Sequence, residues 1–387
     1  MVLSGVAVAY YLVYIAYAMK NSTSPTAQPV RHGTAIVSAI AGMTVGGAVA
    51  ANAARDALFL DVFPASDLPW VMIPSAIATL LFAVVASALL RWLGPNRFGP
   101  GLYLLCGAGV VSTLAIAPAS AEVAAVFLYL MVAAIVGSLA PAMWAMLNER
   151  YDPTSGKAAF SRIAWMGTIG SVVGGLVAER VAKYFGNEAV LIGVGGVFLL
   201  SGAGLVWVAR AWPTLPSVAS SEASDQPPVA RRYLLALAAL TLTLALGGQV
   251  IDYLFKEAAS AELSGEGLLR FFAVFYAAVG LVGFLGQVSI TPRLLNALGP
   301  GKTSAFVPIA LMLGSVGGFF FGPMVAGSTL RASRGVAKTI FHRASYELFF
   351  VPIPTDLKRS SKLLIDVGAT SLGGGGGGAL LAMLLEY

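Results

Sequence analysis

The chain is short of almost everything that soluble chemistry uses. Its single cysteine, Cys106, excludes an intrachain disulfide and argues against redox chemistry. The two histidines, His32 and His342, are too few and too far apart to frame a metal site, and no cofactor-binding or catalytic constellation stands out. Charge is scarce as well. Only 11% of residues are Asp, Glu, Lys or Arg, where a soluble domain carries about a quarter, so a water-facing globular surface is excluded. Long polar intervals are missing too, since the only one after residue 33 is Pro213 to Arg232, a Pro- and Ser-rich stretch that reads as a flexible linker.

What is present is hydrophobic sequence in blocks. With 58% hydrophobic residues and a mean hydropathy of +0.82, the chain reads as an all-α polytopic membrane protein. Crossing about 30 Å of hydrocarbon takes roughly 20 helical residues. About twelve runs qualify: a leading one at 2–19, then α1 (34–54), α2 (69–90), α3 (100–117), α4 (122–147), α5 (160–178), α6 (189–209), α7 (233–255), α8 (268–291), α9 (304–325), α10 (326–351) and α11 (362–385).

The chain also matches itself at an offset of 201 residues. Gly46-Gly47 falls on Gly247-Gly248, Arg55-Asp56 on Lys256-Glu257, Pro153-Thr154 on Pro354-Thr355, and Gly174-Gly175 on Gly375-Gly376. Matches at one offset, including a basic-acidic pair that keeps its order, indicate a parallel repeat, as in two-half transporters. The expected organisation is an extra helix and cytoplasmic segment at 1–33, a six-helix half at 34–212, a linker at 213–232 and a five-helix half at 233–387. The repeat partner of α6 would begin near residue 390, past Tyr387. The leading helix runs in the direction that this position requires, so it is expected either to pack beside α11 through Tyr10, Val13 and Tyr17 or to sit as a peripheral anchor.

Lys and Arg set the orientation. Fifteen fall in the loops on the side of the linker and five on the other (Arg55, Arg180, Lys183, Lys256, Arg270), which puts the linker and the start of α1 in the cytoplasm. The net charge of +6 is then a topology signal that needs no nucleic-acid partner. Asn21-Ser22-Thr23, a glycosylation acceptor by pattern, falls on the cytoplasmic side and reads as loop.

The four remaining cations, Arg331, Arg334, Lys338 and Arg343, all lie in α10. At helical spacing Arg331, Arg334, Lys338 and His342 fall within an arc of about 80°. Three cations facing lipid at mid-bilayer would cost roughly 9 kcal/mol, so the stripe must face protein or water. Ion pairing within the bundle is the plain alternative, with Arg343 and Glu347 at i,i+4 as one candidate. Acids within reach are few, chiefly Asp252, Glu257, Glu347 and Asp366, and a polyanionic ligand would complete the balance. Subtracting 201 places Leu130, Ala133, Gly137 and Pro141 opposite the stripe, an apolar face suited to a planar group.

Other motifs lead elsewhere. Gly301-Lys302-Thr303 resembles the end of a phosphate loop, but Asn296 stands where the first glycine belongs and no strand precedes it. The glycine run Gly373–Gly378, echoed by Gly170, Gly174 and Gly175, reads as a close helix-packing surface.

Four segments carry a family resemblance: RDALFLDVFPASDLPW (Arg55 to Trp70), WAMLNERYDP (Trp144 to Pro153), DYLFKEAA (Asp252 to Ala259) and YELFFVPIPTDLKRSSKLLIDVGA (Tyr346 to Ala369). They resemble the bacterial and plastid nucleotide transporter family of ATP:ADP antiporters, whose architecture is major-facilitator-like. Arg55 stands where characterised exchangers favour a lysine. The resemblance implies a secondary transporter of the bacterial inner membrane that exchanges ATP, ADP or similar phosphorylated anions by alternating access. Substrate binding is expected at Arg331, Arg334, Lys338, His342 and Arg343, with Asp252 and Tyr253. Arg55, Asp56, Lys256 and Glu257 are expected to form an outer gate by cross-pairing, Arg55 with Glu257 and Asp56 with Lys256, at the membrane boundary. Two other readings fit the same sequence. One is a proton-coupled metabolite or drug carrier using Asp252, Glu257 or Asp366; the other is a non-transporting membrane module of a signalling assembly.

Overall fold

The computed structural model describes residues 27–150, 153–212, 231–349 and 364–386. The leading span, most of the linker and residues 350–363 lie outside the described residues, as do the expected contacts of Tyr10, Val13 and Tyr17. Among those described there are helices and turns but no strands, the outcome that a bilayer imposes when every backbone N–H and C=O must be satisfied within its own segment.

The observed helices are longer than the hydrophobic runs. Helix α1 is Ala27–Val62, α2 is Leu68–Leu93, and α3 is Pro95–Ile116. Helix α4 runs as Ala121–Met131, a π-helical turn Val132–Val136, and Gly137–Asn148. One helical stretch, Pro153–Ala211, contains both α5 and α6, broken at Gly186. In the second half α7 is Arg231–Glu262, α8 is Gly265–Ser289, and α9 is completed by Phe306–Phe319 after a helix broken at Gly299. Helix α10 is Pro323–Ala337, a π-helical turn Lys338–His342, and Arg343–Phe349; α11 is the π turn Leu364–Ala369 with Thr370–Glu386. Eight described helices are long and apolar enough to cross a membrane, one of them the double helix at Arg162–Ala211. Helix α10 is not among them and carries four cations, and α9 contributes only the shorter apolar segment Phe306–Val316.

The repeat is visible in the backbone, and it corrects the uniform offset. Leu93-Gly94-Pro95 and Leu298-Gly299-Pro300 make the same turn, with Gly94 at φ 70° and Gly299 at φ 73°. A side chain there would be strained, and the proline that follows is preset for the first helical position. These turns lie 205 residues apart, and the π turns of α4 and α10 lie 206 apart. The connections before α3 and α9 therefore differ in length, and the residues matching Arg331, Arg334, Lys338 and His342 are Ala125, Leu128, Val132 and Val136 rather than the set expected from 201. The matching face is still apolar. Thr303 Oγ donates to the Gly299 carbonyl at 2.8 Å, so the Gly-Lys-Thr triplet closes a helix start.

Glycines decide how the halves meet. A Cβ on Gly170 or Gly174 would collide with the backbone of Gly42 or Gly46 on α1, while one on Gly373 or Gly377 would press on Leu242 and Leu246 of α7. Each half thus packs its fifth helix against its first at backbone distance. The adjacent glycine in each helix faces the other half. At Gly175 a Cβ would sit 2.6 Å from the Ala273 carbonyl oxygen on α8, and at Gly378 one would come within 3.2 Å of Met72 on α2. Helices α5 with α8 and α2 with α11 accordingly form two seams between the halves.

Candidate functional site

The end of the bundle where α1 finishes and α2 begins is the one that the Lys and Arg bias predicts to be outer. Near that end a chain of charges crosses from one half to the other. On α1, Asp56 is fully buried, and its Oδ1 receives Arg55 Nε at 2.8 Å and Nη2 at 2.7 Å. The same Oδ1 lies 3.0 Å from Lys256 Nζ on α7, also fully buried. One helical turn earlier, Asp252 holds Lys256 through Oδ2 at 2.7 Å, and its Oδ1 accepts from Arg331 Nε on α10 at 2.9 Å. The Tyr276 hydroxyl of α8 donates to Asp56 Oδ2 at 2.8 Å. Tyr129 of α4 lies beneath both cations, 4.7 Å from the Arg55 guanidinium carbon and 5.6 Å from Lys256 Nζ. Five helices meet on two carboxylates and three cations.

This pairing answers the cost of placing charge inside a membrane protein. Desolvating an isolated ion costs several kcal/mol, and only close partners with further hydrogen bonds offset it. Each carboxylate here has two cations, and Asp56 has a phenol as well. A second link, Arg270 Nε of α8 to Glu179 Oε1 of α5 at 2.8 Å, joins the halves at the same end. Among the described residues, the ion pairs that join the two halves all lie toward the outer end.

The rest of the cationic stripe runs inward from Arg331. Arg334 is half-buried and Lys338 is exposed although it lies mid-helix. Packing on either side shows where they look. Gly327 of α10 meets Leu254 and Phe255 of α7, while Gly335 and Thr339 meet Val279 and Gly283 of α8, so the stripe faces the gap between α7 and α8. Gly248 of α7 leaves room for the Arg334 guanidinium, which a Cβ there would strike. Neither Arg334 nor Lys338 forms an ion pair or side-chain hydrogen bond among the described residues.

The sequence-derived site is brought together only in part. Asp56 does meet Lys256, but Arg55 folds onto its neighbour Asp56, and the expected Arg55–Glu257 pair is not made. Glu257 is exposed. The helices that carry the cluster continue beyond it, α1 to Val62 and α7 to Glu262. Tyr253 is 3% exposed in an apolar cluster with Phe59, Leu68 and Tyr129, which takes it out of the stripe's open side. His342 is buried with its Nδ1 3.0 Å from Ser304 Oγ, and Arg343 is exposed. Asp366 accepts from the Tyr346 hydroxyl. Tyr276 and Tyr129 were not anticipated. Nothing in their spacing marks them, since Tyr276 belongs to an aromatic run with Phe271, Phe272 and Phe275. The Asp252–Lys256 pair did have a signal, the i,i+4 spacing of opposite charges.

No described sequence family matches the chain, and no curated protein matches it in sequence. Solved structures do match. The nucleoside transporter NupG superposes with a TM-score of 0.61 at 14% identity, covering 91% of this chain and 90% of its own. The peptide transporter PepTSo, of the POT family, gives 0.67 at 12% identity over 91% and 89%. A D-xylose–proton symporter gives 0.63 at 11% identity over 91% and 90%. The protein has the major-facilitator fold. Within that fold the charge chain lies where the first helices of both halves approach each other, and the α10 stripe looks into the space beside the first helix of the second half.

Proposed function

We propose that the protein is a secondary transporter of a nucleotide or a similarly phosphorylated anion, working by exchange and alternating access in the bacterial inner membrane. The observation that carries this reading is the pair Arg334 and Lys338, two cations on one face of α10 without an acidic partner among the described residues. A polyphosphate supplies the missing charge through short, charge-assisted hydrogen bonds. Arg331 would join them once its bond to Asp252 is given up, while Leu130, Ala133 and Gly137, on the less buried side of α4, would meet the base. The similarity in fold to carriers of small solutes supports transport in general, and the α10 cations without an acidic partner among the described residues support the phosphorylated substrate. In this reading the Asp56–Lys256 and Glu179–Arg270 bonds close the outer end while the protein is open inward.

Binding tests the assignment. Titration of the purified protein with ADP, ATP, inorganic phosphate and adenosine should show affinity rising with phosphate number and little binding of adenosine; equal affinity for ADP and adenosine removes the phosphate site. Gly248→Ala is a second check. Alanine favours a helix over glycine by about 1 kcal/mol, so stability should hold or rise, while ADP affinity should fall several-fold because the new methyl displaces Arg334. An unchanged ADP titration would detach Arg334 from the ligand.

A further inference from the structure

The two carboxylates of the charge chain compete for one ammonium. Lys256 Nζ lies 2.7 Å from Asp252 and 3.0 Å from Asp56. The first contact stays within α7 and the second ties the halves together. Asp252 is itself divided, one oxygen on Lys256 and the other on Arg331. Whatever occupies Arg331 therefore sets how much of Asp252 is left for Lys256.

We infer that Asp252 couples the substrate to the outer closure: an anion that takes Arg331 leaves Asp252 to Lys256 alone, which draws Lys256 off Asp56 and frees the two halves. The inference rests on the phosphate reading above.

Three features of the cluster favour it. Removing one partner from a buried ion pair is costly because it strands a charge, and this exchange strands none. When Lys256 leaves, Asp56 keeps Arg55 at 2.7 Å and the Tyr276 hydroxyl at 2.8 Å; Asp252 keeps Lys256, and Arg331 holds the substrate. When the substrate departs, Arg331 returns to Asp252 and Lys256 is again shared. Reach is the second feature. Arg331 belongs to the same face of α10 as Arg334 and Lys338, so a ligand on those two is one helical turn from it. The third is energetic sign. A ligand shifts a conformational equilibrium only by binding one state better than the other, and Arg331 is fully available to it only when released from Asp252. The outer end then opens for the loaded protein and stays shut for the empty one, so an inward-open protein without substrate does not turn outward.

Asp252 is on this account a positioning residue, and the two neighbouring substitutions should act in opposite directions. In Asp252→Asn, Lys256 has only Asp56 to hold and Arg331 is free. ADP should bind as tightly as before or more so, the outer end should stay closed with or without ADP, and exchange should fall by about tenfold or more. In Arg331→Gln, Asp252 belongs to Lys256 permanently, and the outer end should open without ligand. Asp252→Glu, which keeps the carboxylate, should keep ADP-dependent opening.

The readout is the distance between spin labels on cysteines introduced at the exposed Ser66 and Ser264, one in the outer loop of each half, in a Cys106→Ser background. Measured with and without ADP, alongside ADP binding and ADP exchange in proteoliposomes, it separates the cases. Wild-type opening on ADP, a closed and ADP-binding Asp252→Asn, and an open ligand-free Arg331→Gln support the inference. It is overturned if Asp252→Asn opens, if Arg331→Gln stays closed without ADP, or if Asp252→Asn exchanges ADP at the wild-type rate. A wild-type protein that binds no phosphorylated ligand removes the phosphate reading and the inference with it, whereas ADP binding with unresponsive distances removes the inference alone.

Discussion

Lys256→Met is expected to destabilise the protein by about 3–5 kcal/mol, since it takes the cation from between two buried carboxylates and leaves them facing each other with less compensation. Thermal unfolding in detergent measures this. Asp56→Asn should cost less, because the amide oxygen still accepts from Arg55 while its NH2 can donate to the Tyr276 oxygen, and the double substitution should fall short of the sum of the two. Neighbouring charges in one network couple by about 0.5–3 kcal/mol, so additivity within error would show that Asp56 and Lys256 do not act together. Glu257→Gln is the contrast. Its carboxylate is exposed, and exposed charges contribute at most about 1 kcal/mol. A charge swap between Asp56 and Lys256 is a poor probe here, because it would place a carboxylate at position 256 facing Asp252.

The second large effect is on binding. Arg334→Ala and Lys338→Ala should each weaken ADP by about 10- to 100-fold, since a hydrogen bond to a charged group contributes roughly 1.5–3 kcal/mol. Adenosine, which offers neither residue a phosphate, should be nearly unaffected. Arg343→Ala should change little, because that side chain is exposed and stands beyond the π turn that ends the stripe. Isothermal titration of the three variants with both ligands decides it. Equal losses for ADP and adenosine would mean that the cations hold the bundle together rather than the ligand.

Much of this architecture is legible in the amino-acid sequence, because membrane spans and a repeat are properties of long stretches. Hydropathy places the helices, and the glycine pairs at 46–47, 174–175, 247–248 and 375–376 betray the duplication, although the close helix contacts themselves fall on Gly46 and Gly174 in the first half and on Gly373 and Gly377 in the second. The stripe is legible for a similar reason: cations at i, i+3 and i+7 in a membrane helix are too costly to be incidental. Boundaries were less legible. Helices α1 and α7 run past their hydrophobic cores, and Arg55, Asp56 and Lys256 therefore sit inside the bundle while Glu257 is exposed. The offset of 201 fails between α2 and α3, since an insertion in a connection leaves no mark on hydropathy. Partner choice was the hardest to read. Arg55 could reach Glu257 only if it ignored the carboxylate beside it, and a buried arginine takes the nearest acid that needs it. Tyr276 and Tyr129 enter the cluster from helices whose rotation the sequence does not define. Local pairs such as Asp252 with Lys256 can be found from spacing; of the contacts between halves, the duplicated motif points to Asp56 with Lys256 but not to Tyr276 with Asp56 or Arg270 with Glu179.

The central claim, that this fold carries phosphorylated anions in exchange, is tested most directly by uptake into proteoliposomes. Vesicles containing the purified protein are loaded with ADP or left empty, and labelled ATP, phosphate or adenosine is supplied outside. The account predicts that ATP enters ADP-loaded vesicles, that empty vesicles take up little, and that excess adenosine does not compete. Uptake of adenosine in preference to ATP, or ATP uptake that ignores the ADP inside, would contradict it.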